Sequence, residues 1–75
     1  MDRFLIKFDT EESVEEYLHI MDRYDGNAEI VSGASTVDGR SVLGIFSLDL
    51  TKPMELTLYD EDPATKKALE KFRVS

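Results

Sequence analysis

Gly39-Arg40-Ser41-Val42-Leu43-Gly44-Ile45-Phe46-Ser47-Leu48 is the stretch on which the reading of this chain turns. Asp38-Gly39 in front of it is a turn pair, in which glycine accepts a positive φ at little cost. Arg40 follows, then Ser41 where a short helix needs its N-cap. The helix predicted after it, about two turns ending near Asp49, is almost wholly apolar, with a glycine inside and no charge before Asp49. A surface helix ordinarily carries a polar face. This one either sinks into a core or presents apolar side chains to something else.

Upstream, Ala34 to Val37 reads as a weak strand and Ala28 to Ser32 as a stronger one, with Gly33 between them; the short spacing predicts a hairpin. Before them, Asp9-Thr10-Glu11-Glu12 opens a helix. Asp9 or Thr10 can cap it, Glu12 stands where a capping box from Asp9 wants it, and acids in the first turn suit the helix dipole. Val14, Tyr17, Leu18, Met21 and Tyr24 fall on one apolar stripe. Asp25-Gly26-Asn27 then offers a residue able to take the left-handed conformation as the helix closes. At the N-terminus, Arg3 to Phe8 alternates with period two, Phe4, Ile6 and Phe8 sharing one face and Leu5 pointing the other way.

Downstream, Thr51-Lys52-Pro53 connects to a strand in which Met54, Leu56 and Leu58 alternate with Glu55, Thr57 and Tyr59. Tyr59 to Asp62 forms a turn. Asp62-Pro63 opens a last helix, an N-cap followed by proline at the first helical position, with Ala64, Ala68, Leu69 and Phe72 as its buried side. The order βαββαβα predicts an α+β fold in one domain, residues 1–75: an open-faced sandwich whose four-stranded antiparallel sheet is covered on one face by helices.

Composition narrows the function classes. A chain of 75 residues holds one modest core, and 41% apolar residues suffice for it. With no cysteine, neither disulfides nor a cysteine-based zinc site is available. Nine basic and sixteen acidic residues give a net charge of −7, which argues against nucleic acid and anionic membrane surfaces as partners. No apolar run approaches the ~20 residues of a membrane span, and Met1 to Glu12 mixes charges throughout. The expectation is a cytoplasmic protein without a cofactor.

Val37-Asp38-Gly39-Arg40-Ser41-Val42-Leu43-Gly44-Ile45-Phe46-Ser47-Leu48 resembles the second signature of the HPr family, the histidine-containing phosphocarriers of the bacterial sugar phosphotransferase system. A basic residue, a serine, apolar pairs around a glycine and a Ser-Leu recur there in this order. The order of elements is similar too, and Tyr17 and Tyr24 match an aromatic pair in that family's first helix. The likeness covers nearly the whole chain, with a last helix shorter than usual. The family's phosphoacceptor histidine lies at the start of helix one in a His-x-Arg-Pro pattern. Counting back from the aromatic pair places the histidine position at Thr10 and the arginine position at Glu12. That chemistry needs an imidazole nucleophile, with an arginine and a helix N-terminus to hold the phosphoryl group. Here Asp9, Glu11, Glu12, Glu15 and Glu16 would repel it, and no Lys or Arg lies between Asp9 and Asp22. The resemblance therefore implies a member without a catalytic residue, not an enzyme.

On its own, Ser41 reads as an N-cap; the resemblance adds phosphorylation by a dedicated kinase, as in the histidine-less catabolite-repression HPr, with Arg40 beside the phosphate. Ile45 and Leu48 should face the sheet, leaving Val42, Leu43 and Phe46 outside. In HPr relatives the matching positions dock partner proteins, so Arg40, Val42, Leu43 and Phe46 are the expected partner-binding residues. The partner would be a phosphotransferase component, a kinase or a transcription regulator. From the residues alone, the alternative is that the shortened last helix or a second copy covers them, and the chain is expected to be a monomer or weak homodimer. A phosphocarrier working through some other residue is the competing reading. His19, the only histidine, falls off the apolar stripe in mid-helix, where the amides are already paired. The pairs Glu11/Glu15 and Glu12/Glu16 read as a solvated face, since acid–base carboxylates need a cleft that shifts their pKa.

Overall fold

The computed structural model describes residues 1–74. Along the chain run β1 (Asp2–Ile6), α1 (Glu11–Met21), β2 (Ala28–Ser32), β3 (Ser35–Asp38), α2 (Val42–Phe46), β4 (Met54–Leu58) and α3 (Pro63–Ala68), the last tightening into a 3₁₀ turn over Leu69–Phe72. The strands form one sheet in the order β1-β4-β2-β3, and every pairing is antiparallel. Phe4 lies opposite Leu56, and Leu56 opposite Ile30, so one face of the sheet is a continuous apolar row. That row packs with Val14, Tyr17 and Met21 of α1, Ile45 of α2, and Leu69 and Phe72 of the C-terminal turn. The α+β open-faced sandwich expected from the element order is the fold observed. No helix among the described residues is long and apolar enough to cross a membrane.

On the uncovered face the alternation of β4 breaks once. Thr57, expected outside, is buried because Arg3 and Glu29 flank it in register, and Arg3 Nε donates to its Oγ1 at 3.4 Å. A central strand acquires this cover from its neighbours, which no single-strand pattern contains.

β1 ends at Ile6 rather than Phe8, because the C-terminal segment takes over its hydrogen bonds: Lys7 N donates to the Phe72 carbonyl and Val74 N to the Leu5 carbonyl. Phe8 stays buried in an edge-on triad with Tyr17 and Phe72, at centroid distances of 5.3, 5.6 and 6.1 Å.

α1 is capped by Thr10, whose Oγ1 accepts from Ser13 N at 3.2 Å, and not by the box expected between Asp9 and Glu12. It ends at Met21, earlier than the apolar stripe suggested. Tyr24 nevertheless stays buried beyond the helix end, its hydroxyl donating to the Asp60 carbonyl at 2.9 Å. The left-handed closure expected at Gly26 does not form; among the described residues the positive-φ glycine is Gly33, at φ 60. With Ala34 at negative φ, it makes the two-residue primed turn that suits a hairpin's twist.

Gly39 has a different reason from the one its turn pair suggested. Its φ is not positive. A Cβ there would stand 2.9 Å from Ala28 Cβ, so glycine is required by close approach. Its N–H donates to the Ala28 carbonyl at 2.9 Å, and its carbonyl accepts from the buried Tyr17 hydroxyl at 2.7 Å. Burial, with Asp38 nearby, pushes the Tyr17 phenol well up, so it stays a donor.

The last helix buries Thr65, Leu69 and Phe72, whereas Ala64, expected inside, is exposed. Thr65 stands one helical turn before Leu69 and shares its inward face, whereas Ala64 lies five residues before Leu69, off that face. Thr65 fits inside because its Oγ1 donates to Asp62 Oδ2 at 2.8 Å.

Two consequences are measurable. Tyr17→Phe leaves the Gly39 carbonyl without its buried donor and should lower unfolding free energy by about 1–2 kcal/mol in urea titrations, with the fold retained. The Asp62 carboxyl is held below its ordinary pKa by the Thr65 hydroxyl and backbone N–H. A depressed folded-state pKa gives stability that is present above the ordinary carboxylate range and lost as pH falls through the folded value. The stability difference between wild type and Asp62→Asn should therefore be largest at neutral pH and shrink on acidification, as read from thermal melts.

Candidate functional site

α2 begins where Ser41 leaves extended backbone, at φ −89° and ψ 118°, and its Oγ accepts from Gly44 N at 3.1 Å. Gly44 lets the helix lie flush on β3: a Cβ would come within 3.1 Å of Val37 Cβ. Over five residues a helix seated this way sends one side chain into the core, and that is Ile45, with Leu48 half-buried behind it. Val42, Leu43 and Phe46 point outward, 53%, 86% and 44% exposed. No other described element covers them, so the last helix does not roof this face.

The N-terminus of α1 faces a shallow cleft of about 340 Å³. Lys7, Asp9, Thr10 and Glu11 form one wall, and Leu50 and Thr51, just past α2, form the other. Thr51 is anchored there by Asp49, whose carboxyl accepts from the Thr51 hydroxyl at 2.5 Å and from its N–H at 3.1 Å. Those bonds hold Asp49 below the usual carboxylate range. A smaller recess of about 200 Å³ near the end of α1 joins Leu18 and Asp22 to Arg40 and Val42. The structure thus sets Thr10 against Leu50 and Thr51 at one end of α1, and Arg40 and Val42 against its other end.

Glu12 is exposed on α1 but lines neither recess. His19 is exposed as well, in a groove between α1 and α3 with Arg23, Asp62 and Thr65, away from both Thr10 and Ser41. Glu16 is tied to Lys71 at 2.6 Å. Among the described residues, no group of three or more His, Asp or Glu is placed to hold a metal ion. Lys7, Leu50 and Thr51 were missed in the sequence. Lys7 lies two residues before the acidic stretch that starts at Asp9, and nothing local in 50–51 signals that this connector returns to α1.

Chemically, the helix-start cleft offers a threonine hydroxyl already engaged as a cap and in contact with Ser13 Oγ at 3.1 Å. The ionisable groups lining it are Lys7, Asp9 and Glu11, with no imidazole.

Neither a protein-family profile nor a curated protein matches the chain. Among solved structures, HPr-C-His from Thermoanaerobacter tengcongensis superposes with a TM-score of 0.79 at 15% sequence identity, covering 95% of this chain and 89% of that one. At that identity the likeness speaks for the backbone alone. The chain has an HPr-like fold.

Proposed function

We propose that this chain is a protein-binding module derived from a phosphocarrier, one that keeps the docking helix and lacks the phosphoacceptor. The observation that carries this reading is the outward set of Val42, Leu43 and Phe46, three large apolar side chains on one short helix with nothing over them. Clusters of this kind mark interaction sites, with the aromatic as the natural anchor. Thr10 caps α1 at the place the resemblance gives to the phosphoacceptor histidine, and it brings a hydroxyl where the transfer needs an imidazole. Ser41, capping α2 beside Arg40, is a regulatory phosphorylation site in this reading. A phosphate there would sit at the start of a helix and next to a guanidinium, which is electrostatically favourable. The partner is a phosphotransferase component, a kinase or a transcription regulator, met in the cytoplasm.

Mass spectrometry separates the parts of this reading. Incubation with Enzyme I and phosphoenolpyruvate should leave the chain unmodified; phosphohistidine at His19 would overturn the loss of carrier activity. Incubation with HPr kinase and ATP should place one phosphate on Ser41. If it does not, the switch is removed and the docking role stands.

The same exposed trio supports one other reading, burial against a second copy. Light scattering should find a monomer. A wild-type dimer that Phe46→Glu converts into a folded monomer would establish self-association instead.

A further inference from the structure

Resting on the docking reading of α2, we infer that the partner is a cationic amphipathic protein segment, whose apolar side meets Val42, Leu43 and Phe46 and whose basic side meets an acidic rim supplied by α1. The rim follows from helix geometry. Asp22 lines the recess shared with Val42, so the C-terminal end of α1 borders the patch, and Glu11 at the other end lines the cleft shared with Leu50, just past α2. Glu15 falls between them on that face, since positions 11, 15, 18 and 22 are neighbours along one side of an α-helix. The carboxylates of Glu11, Glu15 and Asp22 take part in no ion pair among the described residues.

Cations stand at the same border, and they do not balance it. Lys52 is paired with Asp49 at 3.9 Å. Lys7 and Arg40 are left against Asp9 and the three rim acids, within a chain whose net charge is −7. An acidic partner would be repelled on approach, and a basic one steered in. The same charge disfavours a second copy. A two-fold contact through the patch sets each surface against itself, and the rim acids of one copy would face those of the other.

The test uses a synthetic amphipathic helix with leucines on one side and lysines on the other, and a matched peptide with glutamates in place of the lysines. The chain has no tryptophan, so one tryptophan in each peptide reports binding by fluorescence, and NMR of the isotope-labelled protein locates it. The lysine peptide should perturb residues 42–46 and bind roughly tenfold more tightly than the glutamate peptide, with an affinity that falls as salt rises. Neutralising the rim with Glu11→Gln, Glu15→Gln and Asp22→Asn together should weaken the lysine peptide roughly tenfold. A control of equal net charge, Glu55→Gln, Glu61→Gln and Glu70→Gln, should change it less than about twofold, since exposed pairs such as Glu55 with Arg3 and Glu70 with Arg73 contribute little. Circular dichroism confirms that each variant is folded. Equal losses in the two triple variants would overturn the rim and leave the docking helix standing. Perturbations elsewhere than 42–46, undiminished by Phe46→Ser, would overturn the docking reading itself. Absence of binding by the lysine peptide, or a wild-type dimer closed through the patch, would overturn the cationic partner.

Discussion

The hydroxyl of Tyr17 bonded to the carbonyl of Gly39 is the contact on which the arrangement depends. Gly39 in turn donates to the Ala28 carbonyl, so α1, the start of β2 and the chain entering α2 meet at one residue without a side chain. A buried phenol must find an acceptor, and a buried carbonyl a donor; each answers the other. Because the junction is fixed, Ser41 emerges at a set place two residues later, and its cap defines where α2 begins. The outward direction of Val42, Leu43 and Phe46 descends from that single close approach.

The two ends of the candidate surface are held in different ways. At α2 the support is packing: Gly44 lies on Val37, and Ile45 is wholly buried. At the α1 end it is a set of exposed polar bonds, Thr10 to Ser13 and Thr51 to Asp49. The apolar part of the surface is therefore rigidly presented. The cleft before Thr10 depends on a connector that water reaches, where hydrogen bonds contribute less.

Much of this was legible in the residues, for reasons that can be named. Ser41 and Asp62 announce caps because a short side-chain oxygen can reach an amide three residues on, a purely local geometry. The inward turn of Ile45 and outward turn of Phe46 follow from helical period. Where the structure departs from the local pattern, the cause lies in contacts between elements. Gly39 does lie in a turn, closed by Ser41 N on the Asp38 carbonyl, but its φ is not positive, and its missing side chain makes room for Ala28, a strand away. Alternation puts Thr57 outside, and Arg3 and Glu29 from neighbouring strands cover it. Ala64 shares a face with Ala68, but the core meets the neighbouring face of Thr65, Leu69 and Phe72.

By itself, the sequence determined the order and kind of the elements, the N-caps of α2 and α3, the acidic character of α1 and the absence of a histidine at its start. Those rest on covalent neighbours, helical and strand periods, and the chemistry of single side chains, all of which are present before folding. Tertiary structure alone decided that Leu50 and Thr51 return to wall a cleft at Thr10, that Lys7 joins them, and that Asp22 comes to lie beside Val42. Such pairings join residues far apart in the chain. They exist because an antiparallel sheet with helices on one face leaves the loops few places to run.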